Sequence, residues 1–575
     1  DIVEWLATRK WCNGKIGTRG GSALGQIQFQ TAAQKPPHLV CAAPFIKDFK
    51  TKYEDYYYGG DFRTEHVASL ARLGFITEDL VLSHPLKDNV WKVGETQSDN
   101  SDQFSVPMFM CSGWFDHFPS DVLRAFNDIA TKSAAGVRSK HKLLFGPWQH
   151  TAIGASKQGV LDFPGAEEIP TTMGMKFFDF YLRGENNDWE SEPTVRYYQM
   201  GDNVWKATSS WLSVGTKTAK LYFREGHQLN LEAPPVNIKA VDPDTLIANA
   251  KIPVPTIGGS RFNPADRQML TGPQEVQSLL ERKDVLAYST APLVSELAIT
   301  GTSRVKVQFT CNRTDADISV RLCDVYPDGR WIILTQGIQR LRLRRSLASE
   351  VLLTPNAPDS ATIELNDLGI TFKPGHKIGI ILSGSNFPMF DVNLNSGGKM
   401  YQAGDSLTAQ TLIFSTNSAP SVFEFTTDRV VSAVEDEQVL SEDLSRAVSL
   451  VAPRVYDKLL MVQLARGRSA ASMEEELVRP ILRAIGIKRY VIAHGYRSTT
   501  YFDYPKERFI LLNIGMFASL NYIIRAGEIC IPSYTFDVSA SESGLTVGAS
   551  RSHEDDLLSR RNFKKTNLLG IEDTM

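Results

Sequence analysis

A serine hemmed in by glycines stands near the start of the chain, in the run Gly17-Thr18-Arg19-Gly20-Gly21-Ser22-Ala23-Leu24-Gly25. Between a strand and a helix, such a serine is set as a nucleophile elbow. The sharp turn needs small neighbours, and it thrusts the hydroxyl away from the sheet at a helix N-terminus. The backbone amide of Ala23 would then face a developing oxyanion. The spacing is G-x-S-x-x-G, not G-x-S-x-G, and the same turn could cap a helix or cradle a phosphate. A serine hydroxyl also needs a base to become a nucleophile. In this architecture an acid and then a histidine follow the serine, each after a later strand. Two apolar runs meet that condition. Residues 106–112 lead into Gly113-Trp114-Phe115-Asp116, and residues 142–145 lead into Gly146-Pro147-Trp148-Gln149-His150. Asp116 can hold the imidazole tautomer, and His150 can take the serine proton. Singly, Asp116 reads as well as a helix N-cap, and His150 as a loop histidine. Together and in this order, the three read as a triad. His117 adjoins Asp116, but adjacency along the chain does not make it the base.

The elements that must position these residues follow from the apolar pattern. A helix end is predicted over 2–6, a short strand over 15–18 leading into the glycine-rich turn, and a helix over 23–33 that stops before Pro36-Pro37. Helices are also expected over 120–131 and 172–182. Alternating with the strands, they imply α/β layers around a largely parallel sheet. Residues 53–95, with helices expected over 65–73 and 78–83, read as a small cap or as a long irregular connection. From about residue 220, short β-type runs recur at 219–223, 305–310, 318–325, 331–335, 350–353, 376–382 and 411–415. Turn signals such as Pro327-Asp328-Gly329 separate them, which is the pattern of an all-β sandwich. Residues 237–277 read as a long surface connection. Beyond about residue 434 the pattern changes again, with a helical stretch over 437–485, strands over 489–493, 509–513 and 528–532, and a weakly ordered tail from 550.

Composition narrows the classes. The chain has 575 residues, 42% hydrophobic and 22% charged, as in globular proteins and unlike a disordered chain. No run approaches the ~20 apolar residues of a membrane helix. A net charge of -3 gives no basic footprint for nucleic acid. Six cysteines in this length do not make a disulfide scaffold. Asp315, Asp317, Asp324 and Asp328 lack the spacing of a calcium loop and are expected in turns and caps. The alternating run Arg340 to Arg345 is expected to form the charged face of a strand.

Several longer motifs resemble one family. They are Trp11-Cys12-Asn13-Gly14-Lys15-Ile16-Gly17, the serine turn, Tyr56-Tyr57-Tyr58-Gly59-Gly60, His84-Pro85-Leu86-Lys87-Asp88-Asn89-Val90-Trp91, Gly113 to Asp116 and Gly146 to His150. The β region adds Thr314-Asp315-Ala316-Asp317, Asp324 to Gly329 and Phe387 to Asn393. Over about residues 1–430 the chain resembles the cocaine esterase / X-prolyl dipeptidyl-peptidase family of α/β-hydrolases. The resemblance implies a serine hydrolase in which Ser22 is nucleophile, Asp116 acid and His150 base, and Ala23 supplies a backbone oxyanion donor. It implies a catalytic domain over 1–215 with its cap at about 53–95, a β jelly-roll over 216–432 and an unassigned α/β extension over 433–575. No metal or organic cofactor is implied.

There are departures. Ala23 stands where the family usually has tyrosine. The family's first strands, with a tyrosine that completes the oxyanion hole, precede the region matched by Asp1. The chain is therefore expected to be impaired, or to receive that segment from elsewhere. Members that bind a free α-amino group carry carboxylates just after the acid, whereas His117-Phe118-Pro119 follow Asp116 here. The expected substrate is accordingly an uncharged acyl ester or amide. The alternatives are a dipeptidyl-peptidase acting on X-Pro peptides, and a carbohydrate- or protein-binding module on a decayed hydrolase. A small-molecule partner is expected, with neither nucleic acid nor membrane; oligomeric state is open. The compartment is open too, with the cytoplasm slightly favoured.

Overall fold

The computed structural model describes residues 2–234, 243–262 and 269–428, together with strands at 508–515, 525–526, 533–541 and 544–552. Two compact units divide the chain at about residue 430.

The first unit begins with helix α1 (Ile2–Ala7), strand β1 (Ile16–Gly21), helix α2 (Ala23–Ala33) and strand β2 (Leu39–Phe45). Strand β1 runs further than the sequence suggested. Its glycines pair in parallel with β2, from Gly17 opposite Cys41 to Gly21 opposite Phe45. Only Ser22 remains for the turn. A small hairpin follows, β3 (Tyr57–Tyr58) and β4 (Asp61–Phe62), and then helices α3 (Thr64–Arg72), α4 (Glu78–Leu82) and α5 (Asn89–Ser98). These pack around Tyr53, Tyr57, Phe62, Val67, Val81 and Trp91, with the Tyr53 and Tyr57 rings stacked 4.8 Å apart. The region is thus built around its own apolar cluster and is no irregular connection. Helix α5 was not foreseen, although Asp88 caps it by accepting from the Val90 amide.

The sheet then takes up β5 (Phe109–Phe115), helix α6 (Pro119–Lys132) and β6 (Lys142–Gln149). All seven residues of β5 are buried, as expected for a central parallel strand covered on both faces. Helix α6 turns Val122, Leu123, Phe126 and Ile129 inward at helical spacing. A small hairpin, β7 (Lys157–Gln158) and β8 (Leu161–Asp162), precedes helix α7 (Ile169–Phe178), and β9 (Val195–Gln199) and β10 (Val204–Thr208) complete the sheet. The order is β1-β2-β5-β6-β9-β10, parallel except for the last pair. The carboxyl ends of β1, β5 and β6 therefore share one edge.

An eleven-stranded all-β region follows, from Lys217–Arg224 to Val422–Thr427. Its long strand Leu297–Cys311 alternates buried and exposed positions, while Asp317–Val325 is buried throughout. Three expectations fail here. Residues 350–353 form no strand: Val351 and Leu353 donate to the carbonyls of Arg342 and Thr314, not to a ladder. The stretch 237–277 is no surface connection in its described part. It contains the strand Asp244–Ala248, paired with Ala409–Phe414, and buries Val254, Arg261 and Val276. The arginine run is no charged strand face either. The strand ends at Arg340, a tight turn spans Leu341–Leu343, and Arg340 and Arg342 are buried. They pair with Asp317 and Asp315, so these aspartates serve the arginines instead of capping turns. Asp324 pairs with His376, and Asp328 with Arg330.

In the second unit, the strands Arg525–Ala526, Arg508–Gly515, Ser533–Ser541 and Gly544–Ser552 form a four-stranded sheet in that order. The strand expected over 509–513 falls within the second of these, and the last runs past residue 550. The helix expected over 437–485 and the strands over 489–493 and 528–532 lie outside the described residues. No helix among the described residues is long and apolar enough to cross a membrane.

Candidate active site

Ser22 occupies the single step between β1 and α2, with φ 57° and ψ -126°. A positive φ at a residue with a Cβ is strained, and it persists only where the surroundings enforce it. The Ser22 amide donates to the Phe45 carbonyl at 3.0 Å, so β2 pulls the turn shut. Packing allows no bulk beside it. A Cβ on Gly20 would come 2.7 Å from the Leu24 Cβ, and one on Gly25 would come 2.7 Å from the Phe45 carbonyl oxygen. The glycine three residues after the serine thus serves the close passage of α2 over β2, which explains the x-x spacing. Ala23 is the first residue of α2, so its N–H is among those that a helix leaves without an internal partner.

Asp116 follows β5, and His150 follows β6 on the adjacent strand. His150 Nδ1 lies 2.8 Å from Asp116 Oδ1. Both side chains are buried, Asp116 wholly so. The Asp116 carboxylate also accepts from the His117 amide at 2.7 Å and from Ser112 Oγ at 3.0 Å. Burial acts to raise its pKa, but the neighbouring His150 and His117 imidazoles outweigh it and hold the carboxyl well below its usual range. Asp116 therefore stays ionised wherever the protein is folded near neutrality. The structure brings Asp116 and His150 into direct contact. Ser22 stands at the same sheet edge, at the end of a strand separated from that of Asp116 by β2 alone.

His117, set aside in the sequence, belongs to this cluster. Its ring packs 4.3 Å from that of His150 and 5.0 Å from that of His66. Burial drives its pKa down to about 3, with the charge of His150 adding to the effect, so it is neutral. Burial and Arg63 likewise hold His66 well below its ordinary value. Phe262, from the all-β region, stacks on His117 at 5.1 Å and lies 4.3 Å from His150. Nothing in the spacing of residue 262 pointed to this site. Around the cluster, Glu65 is bound by Arg261, and Lys47 pairs with Asp48 and Asp55 while its ammonium sits over the Phe118 ring.

Comparisons with known proteins bear on the fold and the family. Residues 1–80 and 63–152 match the model of the X-Pro dipeptidyl-peptidase (S15) family. Residues 187–422 match that of the X-Pro dipeptidyl-peptidase C-terminal non-catalytic domain. A cocaine esterase of Rhodococcus sp. (strain MB1 Bresler) is 28% identical over 457 residues, covering 69% of this chain and 78% of that protein. Two solved structures share the fold. One is an aminopeptidase from a marine sediment archaeon, Thaumarchaeota archaeon, with TM-score 0.65 and 22% identity over 75% of this chain and 79% of that one. The other is an α-amino acid ester hydrolase, with TM-score 0.66 and 23% identity over 74% of this chain and 79% of that one. A serine on a strained strand–helix turn, a buried aspartate–histidine pair at the same sheet edge and these matches lead to one conclusion: the chain belongs to the cocaine esterase / X-prolyl dipeptidyl-peptidase family of α/β-hydrolases and is a serine hydrolase.

Proposed function

We propose that the chain hydrolyses an uncharged acyl ester or amide through an acyl-enzyme on Ser22. The observation that carries this reading is the buried 2.8 Å contact between Asp116 and His150 at the sheet edge that also holds the strained Ser22 turn. The contact puts the His150 proton on Nδ1 and leaves Nε2 as the base. Ser22 Oγ attacks the substrate carbonyl while His150 Nε2 takes its proton. The ionised Asp116 stabilises the imidazolium, and the Ala23 amide binds the oxyanion. His150 then protonates the leaving alcohol or amine, and water repeats the sequence to release the acid.

The surroundings favour a substrate without a free α-amino group. An ammonium needs an unengaged carboxylate, and Glu65, Asp48 and Asp55 are each paired with a cation. Labelling with a fluorophosphonate probe tests the nucleophile: the label is expected on Ser22 and lost in Ser22→Ala. Short p-nitrophenyl esters should be turned over, and His150→Ala should abolish turnover. An Ala-Pro nitroanilide cleaved faster than these esters would favour the dipeptidyl-peptidase reading. Absence of any label on the wild-type chain would favour a binding module.

A further inference from the structure

The site holds one donor more than acyl transfer uses. His117 Nδ1 is buried without a hydrogen-bond partner, and it lies 3.1 Å from Asp116 Oδ1. That oxygen is the one His150 Nδ1 meets at 2.8 Å. The side chains of Asp116, His117 and His150 are 0%, 3% and 6% exposed. One ligand atom from each lies within 4.8 Å of the other two. Orphaned buried polar atoms are uncommon, and each asks for an explanation. Two imidazole nitrogens and one carboxylate oxygen are the donors that borderline divalent ions, zinc foremost, take up. Ligand bonds of about 2.0–2.2 Å place tetrahedral donors roughly 3.3 Å apart, so the 2.8 and 3.1 Å separations from Asp116 Oδ1 need only a slight opening.

We propose that Asp116, His117 and His150 form a binding site for a divalent metal ion of the zinc class, and that its occupancy reversibly switches the hydrolase off. The switching rests on the reading of His150 as the base. In the resting site His150 carries its proton on Nδ1. An ion bound at Nδ1 takes that lone pair, and the proton moves through solvent to Nε2 with no net release. Nε2 is then a donor and cannot accept the Ser22 proton. His117, also neutral, binds through Nδ1 in the tautomer that carries its proton on Nε2, the proton passing there through solvent as in His150. The carboxylate and the dication leave one positive charge, which a water or a small anion at the fourth position can face. The supports are already in place. Ser112 Oγ and the His117 amide fix the Asp116 carboxylate, and the Phe262 ring lies parallel to that of His117, 8° from coplanar.

The test is a titration of the whole chain with zinc chloride during hydrolysis of a short p-nitrophenyl ester, followed by EDTA. Activity is expected to fall saturably and to return with the chelator. His117→Phe should raise the half-inhibiting zinc concentration by at least about 10–100-fold, and His117→Asn serves if the phenylalanine variant does not fold. Cobalt(II) reports binding independently of activity, through a visible absorption band in the wild type that the His117 variant lacks. Equal zinc sensitivity in wild type and variant, or an active enzyme that zinc does not slow and cobalt does not colour, overturns the proposal. A cobalt band in a chain that hydrolyses nothing supports the metal site and sinks the triad reading.

Discussion

Phe262 lies against His150, ring centroids 4.3 Å apart, although the two residues come from different layers of the unit. The all-β region thereby contributes one wall of the imidazole's cage. If His150 is the base of the proposed triad, a drift of an ångström costs it its alignment with Ser22, and up to about 100-fold in rate. Phe262→Ala is expected to lower kcat by about 10–100-fold with little change in KM. Phe262→Leu should recover most of it. Steady-state kinetics on a short ester decide the matter, and an unchanged kcat removes Phe262 from the positioning apparatus.

The neighbouring residue fixes that wall in place. Arg261 Nε lies 2.9 Å from Glu65 Oε2, its Nη2 meets the other oxygen, and both side chains are almost fully buried. Removing one partner strands a charge in the interior, which costs about 3–5 kcal/mol, whereas replacing both by apolar groups is often near neutral. Glu65→Leu is expected to lose about that much stability, and Glu65→Leu with Arg261→Met to regain most of it. Chemical denaturation checks both variants. Equal stability of the single and double variants would show that the pair carries no such penalty.

How far the site could be read from the sequence follows from where its parts lie. Asp116 and His150 each directly follow an apolar strand, and Ser22 a glycine-rich one; a parallel sheet delivers such positions to one edge, so order and spacing were enough to nominate them. Six strands of the all-β region announced themselves through β-branched runs and turn residues, whereas others, such as Asp359–Phe372, went unread. Phe262 had no local signature, because its role arises only when a long connection folds back over the sheet. Arg340 and Arg342 misled for a related reason. Alternation along the chain suggests a solvated face, but Asp315 and Asp317, which neutralise these arginines, sit on a neighbouring segment that pattern alone cannot align. His117 was passed over because chain adjacency to Asp116 says nothing about where its ring turns.

Gly25 allows two forces to be compared. Alanine in a helix is worth about 1 kcal/mol over glycine, so Gly25→Ala should stabilise α2 by that amount. The added Cβ would sit 2.7 Å from the Phe45 carbonyl oxygen. That atom belongs to the backbone of β2, whose position is set by pairing on both sides, so it cannot rotate away. Overpacking of this kind costs about 1–3 kcal/mol, and the clash should win. A lowered Tm with reduced ester turnover is the expected result. A raised Tm with full activity would mean that the helix has room to shift.

The last prediction concerns pH and lies outside the catalytic cluster. Asp61 of the small hairpin is fully buried with its carboxylate 3.1 Å from Arg340 Nη2, and that guanidinium also serves Asp317 and Asp391. Tyr401 packs its ring against Arg340 as well. One cation thus faces three carboxylates. Burial foremost, and then the charges of Asp317 and Asp391 against the opposing pull of Arg340, hold the Asp61 carboxyl well above its ordinary pKa. A carboxyl whose folded pKa exceeds its unfolded one binds more protons when folded. Stability therefore declines as pH rises from the unfolded value through the folded one. Asparagine keeps the shape of the neutral acid and cannot ionise. Asp61→Asn is expected to match the wild type near pH 4 and to exceed it increasingly toward alkaline pH, in Tm measured across that range. A variant that is less stable at every pH, with a gap that widens upward, would mean that the ionised Asp61 is a favourable partner of Arg340 and that the shared-cation account is wrong.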